Sequence, residues 1–273
     1  MNVAIIGCGY VGTAVAKYWQ QKMTLVVTAT TTTLPRVSEL ETFAQKVFVL
    51  QGSDHEELEK VLHGQDCVLL SVAPRRGNSY KDTYLLTAQT VAQVLKKSSA
   101  KQLIYTSTCS VYGDQNGNLV DETTSIAPTS ENQQVLCDTE QVLLTELKDK
   151  LHVCILRLGG IYGLGRELVK IYGRVAGQTR PGDGNEPSNW IHLDDIVGAI
   201  EYARHYHLQG IYNLVDDAYL SNREVIDRVC EKHNLPKVTW DSSQVSNRNY
   251  NAKISNEKIK AAGYKLIHPE MIF

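Results

Sequence analysis

Short apolar runs recur along the first 160 residues, and segments with helical periodicity separate them. Residues 3–6, 23–29, 46–51, 66–74, 101–113 and 151–158 each have the length and composition of a buried strand. Between them, apolar positions repeat every three or four residues. Val11, Ala14, Val15, Tyr18 and Trp19 make one such face. Residues 56–62, with Asp54 placed to cap them, make a second, and residues 80–97 a long third. Residues 131–148 make a fourth, with Val135, Leu136, Val142, Leu143 and Leu147 apolar. Strand and helix alternating in this way predict a parallel sheet with helices on both faces, an α/β fold. Residues 113–128 are predicted to be a polar loop, residues 173–189 a Gly- and Pro-rich segment, and residues 190–196 the opening of a further helix. Residues 210–215 give a late strand, Ser221 caps a helix from Asn222 to Lys232, and the tail from 247 onward is mixed and basic.

The first turn carries the most specific chemistry. Gly7, Gly9 and Gly12 lie where the first strand gives way to the first helix. Gly7 can adopt backbone angles closed to other residues, Gly9 lets a ligand's phosphates approach the main chain, and Gly12 lets helix pack on strand. The helix end beyond them favours an anion. This is the context in which such a motif binds a dinucleotide, with Tyr10 and Val11 completing the loop. In open α/β sheets the ligand lies beyond the carboxyl ends of the strands. The other strand ends therefore supply further candidates: Thr30 and Thr31, Ser53, the small-residue run Ser71, Val72 and Ala73, and Thr106. An acidic residue at the end of the second strand would select NAD through the ribose hydroxyls. Here residues 28–33 are Thr-Ala-Thr-Thr-Thr-Thr, with Arg36 just beyond. Hydroxyls and a cation tolerate a 2′-phosphate, so NADP is preferred over NAD. Pro35 is placed to start a helix, and Arg75 and Arg76 follow the fourth strand, where they could meet an acidic or phosphorylated substrate.

Composition narrows the setting. The 273 residues carry a net charge of −2, with 42% hydrophobic and 21% charged residues. These values fit an ordinary globular protein and give no sign of a nucleic-acid or membrane partner. No apolar stretch is long enough to span a bilayer, and the chain opens on a strand rather than a signal peptide. Six cysteines without a CxxC pair point to reduced thiols and a cytoplasmic setting. The expected partner is a small-molecule substrate or metabolite, and the expected state a monomer or homodimer.

Several stretches together resemble the extended short-chain dehydrogenase/reductase superfamily, in its NAD-dependent epimerase/dehydratase group. They are the glycine loop, Thr106-Ser-Thr-Cys-Ser-Val-Tyr-Gly113, Val120-Asp-Glu122 followed by Pro128, Leu156-Arg-Leu-Gly-Gly-Ile-Tyr-Gly163, and Trp190-Ile-His-Leu-Asp-Asp-Ile196. The resemblance covers nearly the whole chain. It implies a Rossmann-type doubly wound parallel sheet with a small, discontinuous C-terminal part on the substrate side. The Rossmann domain would comprise residues 1–163 with 190–215 returning to it, and the smaller part residues 164–189 and 216–273. His192, Asp194 and Asp195 match the family's His-x-Asp-Asp segment, a structural helix start in which an Asp caps the N-terminus. The expectation there is no metal. Asn251, Lys253, Ser255 and Asn256 resemble a segment that returns to the cleft in small atypical members.

The catalytic pattern departs from the family. Members usually carry a Ser or Thr and then Tyr-x-x-x-Lys on the helix after the long loop. The Tyr exchanges a proton with the substrate oxygen, and the Lys lowers the Tyr pKa and holds the nicotinamide ribose. Thr108 matches the hydroxyl. The family's Glu four residues after the Lys fits Glu140, which puts Leu136 at the Lys position and Asn132 at the Tyr position. Leucine carries no charge, and an asparagine amide cannot exchange a proton near neutral pH. The literal Tyr18-x-x-x-Lys22 lies in the first helix and is read as chance. Two functional readings remain. One is an oxidoreductase or epimerase with a substituted acid/base, for which Thr108, Tyr162 and Cys137 are candidates. The other is a non-catalytic NAD(P)-binding sensor acting through a partner.

Overall fold

The computed structural model describes all residues except Arg75, Arg76, Asn78, Asn247 and Asn249. The two arginines placed above against an acidic substrate thus lie outside the described residues. In chain order the elements begin with β1 (Asn2–Ile6), α1 (Tyr10–Gln21), β2 (Val26–Thr31), α2 (Val37–Leu40), β3 (Lys46–Val49), α3 (His55–Leu62) and β4 (Cys67–Leu70). Next come α4 (Thr87–Leu95), β5 (Gln102–Thr108), β6 (Asp114–Val120), α5 (Glu131–Leu147), β7 (His152–Leu158), β8 (Gly160–Tyr162) and α6 (Leu168–Tyr172). The remainder is β9 (Thr179–Pro181), β10 (Trp190–His192), α7 (Leu193–Tyr206), β11 (Gly210–Leu214), α8 (Asn222–Lys232), β12 (Thr239–Asp241), β13 (Asn251–Ile254) and α9 (Glu257–Ala261).

Seven strands form one parallel sheet in the order β11-β7-β5-β4-β1-β2-β3. The strand order reverses between β1 and β4, which is where open sheets of this kind take their ligands. The fold is therefore the α/β Rossmann type expected from the alternating pattern. Strands buried on both faces read as continuous apolar runs, and Val3 to Ile6 are at most 1% exposed. The core around them includes Leu58, Val61 and Leu62 of α3, Val91 and Leu95 of α4, and Leu143 and Leu147 of α5.

By contacts the chain divides into two compact units. The first comprises Met1–Thr108, Ser130–Arg157 and Val197–Tyr212, and the second Cys109–Thr129, Leu158–Ile196 and Asn213–Phe273. The second unit has small apolar clusters of its own, one on Val225 and Val229 of α8 with Tyr162 and Leu168. Ser221 and Glu224 form a complete capping box at the start of α8, as the sequence predicts.

Three expectations need correction. The second strand is shifted: β2 begins at Val26 and runs on to Thr31, past the predicted end at residue 29, because β-branched threonines suit a strand and their hydroxyls find partners inside. The predicted helix over 80–97 is a π-helix across Lys81–Leu86 before it becomes α-helical, and the Thr87 hydroxyl donates to the Asp82 carbonyl five residues back. Residues 113–128 are not wholly loop either. β6 pairs in parallel with β13, with Lys253 opposite Leu119 and Ile254 opposite Val120. A strand this polar has no apolar signature, and its partner lies far along the chain.

All six cysteines are buried, and none is in a disulfide. No helix among the described residues is long and apolar enough to cross a membrane.

Within the first unit, Glu140 of α5 is bound from two strands. The Ser107 hydroxyl donates to its Oε1 at 2.5 Å, and Arg157 Nη2 donates to Oε2 at 2.7 Å. Both charged side chains are 4% exposed. Removing one partner of such a pair leaves a buried charge uncompensated. Glu140→Ala is therefore expected to lower unfolding stability by about 3–5 kcal/mol in a urea titration. A loss below about 1 kcal/mol would show that this network does not hold α5 to the sheet.

Candidate functional site

The glycine loop is built by close approach. Gly7 has φ +95°, and a Cβ there would lie 2.5 Å from the Ser71 carbonyl oxygen. A Cβ on Gly12 would lie 2.3 Å from the Gly7 carbonyl oxygen. Neither position has room for a side chain. Gly9 is the opposite case: a Cβ there would meet nothing within 4 Å. The first two glycines therefore set the backbone path, and the third presents bare main chain outward.

Hydrogen bonds pin the loop from beneath. Gly7 N–H donates to the Thr30 hydroxyl at 2.9 Å, and Cys8 N–H to the Thr30 carbonyl at 2.9 Å. The first helical bond of α1 runs from Thr13 N–H to Gly9 O at 3.0 Å. The N–H groups of Val11 and Gly12, in the first turn, have no acceptor within the helix. Tyr10 is half-buried at the helix start. Burial pushes the Cys8 thiol up to about 12, so a neutral thiol sits beside the helix start.

The other predicted cofactor residues are placed as follows. Thr30 and Thr31 are buried in β2, and Thr30 supports the loop from below. Arg36 lies across the loop. Its Nη1 donates to the Cys8 carbonyl, Nη2 donates to the Thr13 hydroxyl at 3.1 Å, and it pairs with Glu39 at 3.0 Å. Pro35 sits in a 3-10 turn that presents Arg36. Ser53 is exposed on the turn after β3. At the end of β4, Ser71 and Val72 are half-buried and Ala73 is exposed. Ser71 accepts a hydrogen bond from the Thr106 hydroxyl at 3.1 Å. The loop, the start of the β2–α2 connection and the ends of β4 and β5 thus converge within the first unit.

Of the catalytic candidates, Thr108 ends β5 and is half-buried. Asn132 is exposed in the first turn of α5, while Leu136 and Cys137 are buried one turn on. Burial pushes the Cys137 thiol up to about 11. Tyr162 belongs to the second unit. It is 2% exposed, its hydroxyl accepts from Ile272 N–H at 3.1 Å, and burial pushes its pKa up to about 12.

The second unit holds a polar cluster that the sequence did not reveal. Asp195, in the first turn of α7, turns toward the C-terminal segment. It accepts from the N–H groups of Ile267 at 2.5 Å and His268 at 3.0 Å, and the Tyr264 hydroxyl donates to its carbonyl at 2.9 Å. It thereby ties the C-terminal segment to the start of α7. Adjacent Asp194 faces outward, and His268 Nε2 lies 3.1 Å from its Oδ2. His268 is 76 positions beyond His192, so no local spacing could have found it. The segment from Asn251 to Asn256 is also internal to this unit. Asn256 donates to the Val215 carbonyl at 2.8 Å, and Lys253 sits 4.2 Å over the Tyr219 ring.

Fold and loop together define a Rossmann-type protein with a glycine-rich turn between β1 and α1. The family model described as NAD dependent epimerase/dehydratase family matches residues 3–214, and the chain belongs to that family. It is similar to protein YeeZ of Escherichia coli K12, at 30% identity over 235 residues that cover 80% of this chain and 78% of that one. Among solved structures it resembles a conserved protein of unknown function from Silicibacter pomeroyi, with TM-score 0.81, 23% identity and coverage of 98% and 94% of the two chains. It also resembles dTDP-glucose 4,6-dehydratase from Bacillus anthracis, solved in complex with NAD, with TM-score 0.80, 22% identity and coverage of 98% and 92%.

Asp216, 2% exposed, gives this unit a pH signature. Burial raises its carboxyl to about 7, with Asp217 and Asp195 adding to the effect. Its Oδ1 accepts Ala218 N–H at 3.1 Å. A raised carboxyl favours the folded state while it keeps its proton, and that benefit is lost as pH rises through about 7. Asp216→Asn keeps the acceptor and removes the ionisation. Its stability relative to the native chain is expected to rise by on the order of 3 kcal/mol between about pH 5 and about pH 8, read by urea unfolding. A difference independent of pH would show that Asp216 stays ionised in the fold.

Proposed function

We propose that the chain binds a nicotinamide dinucleotide at the glycine loop and lacks the family's usual acid/base pair. The observation that carries the first half is the contrast among the glycines. Gly7 and Gly12 are closed to any side chain, whereas Gly9 faces open space beside the outward N–H groups of Val11 and Gly12. That shape fits a pyrophosphate, and the solved dehydratase that resembles this chain holds NAD. NADP is the preferred form. Arg36 lies against the loop, and the strand end that would carry a ribose-binding carboxylate carries Thr31 and Thr32 instead.

The second half rests on α5. Glu140 is locked to β5 and β7, which supports placing Asn132 and Leu136 two turns and one turn before it, where the family has Tyr and Lys. Leu136 is 5% exposed and carries no charge. Asn132 can donate to or accept from a substrate oxygen but cannot supply a proton. Thr108 keeps the position that orients a carbonyl or alcohol. When bound, the cofactor supplies hydride chemistry at its nicotinamide ring. The chain's own residues would then bind and orient the substrate without a tyrosine to protonate it. The buried, uncharged Leu136 favours the second reading as well, a dinucleotide-binding sensor without turnover. The substrate is a small molecule in either case, and the chain is proposed to act in the cytoplasm as a monomer or homodimer without nucleic-acid or membrane partners.

Fluorescence titration with NADPH and NADH tests the binding. Gly9→Ala is expected to fold normally and weaken both ligands by at least about tenfold, since its methyl occupies the open approach. Undetectable binding of either dinucleotide to the native chain would overturn the proposal. Arg36→Leu is expected to weaken NADPH by about tenfold or more and to leave NADH within about twofold, because it removes a charge-assisted contact to the 2′-phosphate. Equal losses for both would remove the NADP preference. Turnover of NADPH with a panel of aldehydes, ketones and nucleotide sugars separates the enzyme from the sensor.

A further inference from the structure

The polar cluster of the second unit has a geometry that the dinucleotide loop does not use. His192 comes from the end of β10, Asp194 from the first turn of α7, and His268 from the C-terminal segment. Asp194 Oδ2 lies 3.4 Å from His192 Nδ1 and 3.1 Å from His268 Nε2, and one donor atom from each residue falls within 4.8 Å of the other two. The two imidazole rings are 4.1 Å apart, centre to centre.

We propose that His192, Asp194 and His268 form a three-ligand site for a divalent transition metal of the zinc type. Two imidazoles and one carboxylate suit zinc, and bonds of about 2.0–2.2 Å in a tetrahedron place neighbouring donors about 3.3 Å apart. The two separations from Asp194, 3.4 and 3.1 Å, match that edge, and the two imidazole donors lie within 4.8 Å of each other. Three protein ligands leave a fourth position, the arrangement of a site that takes a water or a substrate oxygen. His192 and Asp194 also line a cavity of about 490 Å³, together with Tyr162, Glu167, His233 and Phe273. A fourth ligand has room on that side.

The surrounding residues hold the ligands as an outer shell does. Asp195 fixes the backbone at Ile267 and His268 through two N–H bonds, so His268 is held in place before any ion arrives. The Tyr162 ring meets the His192 ring edge-on at 5.0 Å. One contact must yield: His192 Nδ1 now accepts the Asp194 N–H at 3.2 Å, the long end of the hydrogen-bond range. The ion would take that lone pair in place of the N–H. The six cysteines are all buried, so the folded chain offers no thiol competitor.

The test uses the tag-free, full-length protein after chelator treatment, titrated with zinc chloride by calorimetry. Cobalt chloride in parallel reads the coordination by visible absorption. The expected result is one zinc ion per chain and a cobalt spectrum of tetrahedral or five-coordinate type. His268→Asn and Asp194→Asn should each weaken zinc by at least about tenfold. Asp194 has 59% of its side chain exposed, so Asp194→Asn keeps the fold intact even if His268→Asn does not. Zinc should raise the melting temperature of the native chain and not that of Asp194→Asn. No stoichiometric zinc, or a zinc affinity unchanged in Asp194→Asn, would overturn the proposal. Dinucleotide binding is read separately, so the outcome here does not depend on the glycine loop.

Discussion

The fold turns on the contact between the start of α1 and the end of β1. The Gly7 carbonyl occupies the space that a Cβ on Gly12 would need, and the Ser71 carbonyl occupies the space beside Gly7. Two backbones therefore touch where most proteins have side chains. That contact brings the helix end down onto the sheet at the point where strand order reverses. Without it the N–H groups of Val11 and Gly12 would open elsewhere, and the proposed dinucleotide site at the ends of β1 and β4 would lose its anchor. The Thr30 bonds to Gly7 and Cys8 fix the loop's height, and Arg36 closes over it.

The second unit is organised by a different constraint. Asp195 is fully buried and gathers three donors from the C-terminal segment. This holds His268 beside Asp194 and His192. Neighbouring Asp216 has no such set of donors and retains its proton up to about pH 7. Burial raises both carboxyls, and at Asp195 the N–H bonds from Ile267 and His268 work against that rise.

Much of this was legible in the sequence. The sheet was readable because its strands are buried on both faces and stand out as apolar runs, Val3 to Ile6 above all. The Ser221 cap and the glycine loop were readable because their chemistry is local. What could not be read was non-local or ambiguous in composition. β6 and β13 are polar, and each is a strand only because the other exists. The threonines of β2 are polar by composition and strand-forming by shape, and burial within the sheet decided the matter. Nothing in His-Leu-Asp-Asp tells which aspartate turns inward toward a segment more than seventy residues away. The resemblance to the family is what places Asn132 and Leu136 at the Tyr and Lys positions of α5, and Glu140 of that helix is held by Arg157 and Ser107.

The most direct test is the electron density of the chain crystallised with NADPH. The account predicts pyrophosphate oxygens within hydrogen-bond reach of the Val11 and Gly12 N–H groups, with Gly9 against them. It further predicts Asn132, and no tyrosine hydroxyl, on the substrate side of the nicotinamide ring. Dinucleotide bound away from residues 7–12, or a tyrosine hydroxyl poised beside the ring, would contradict it.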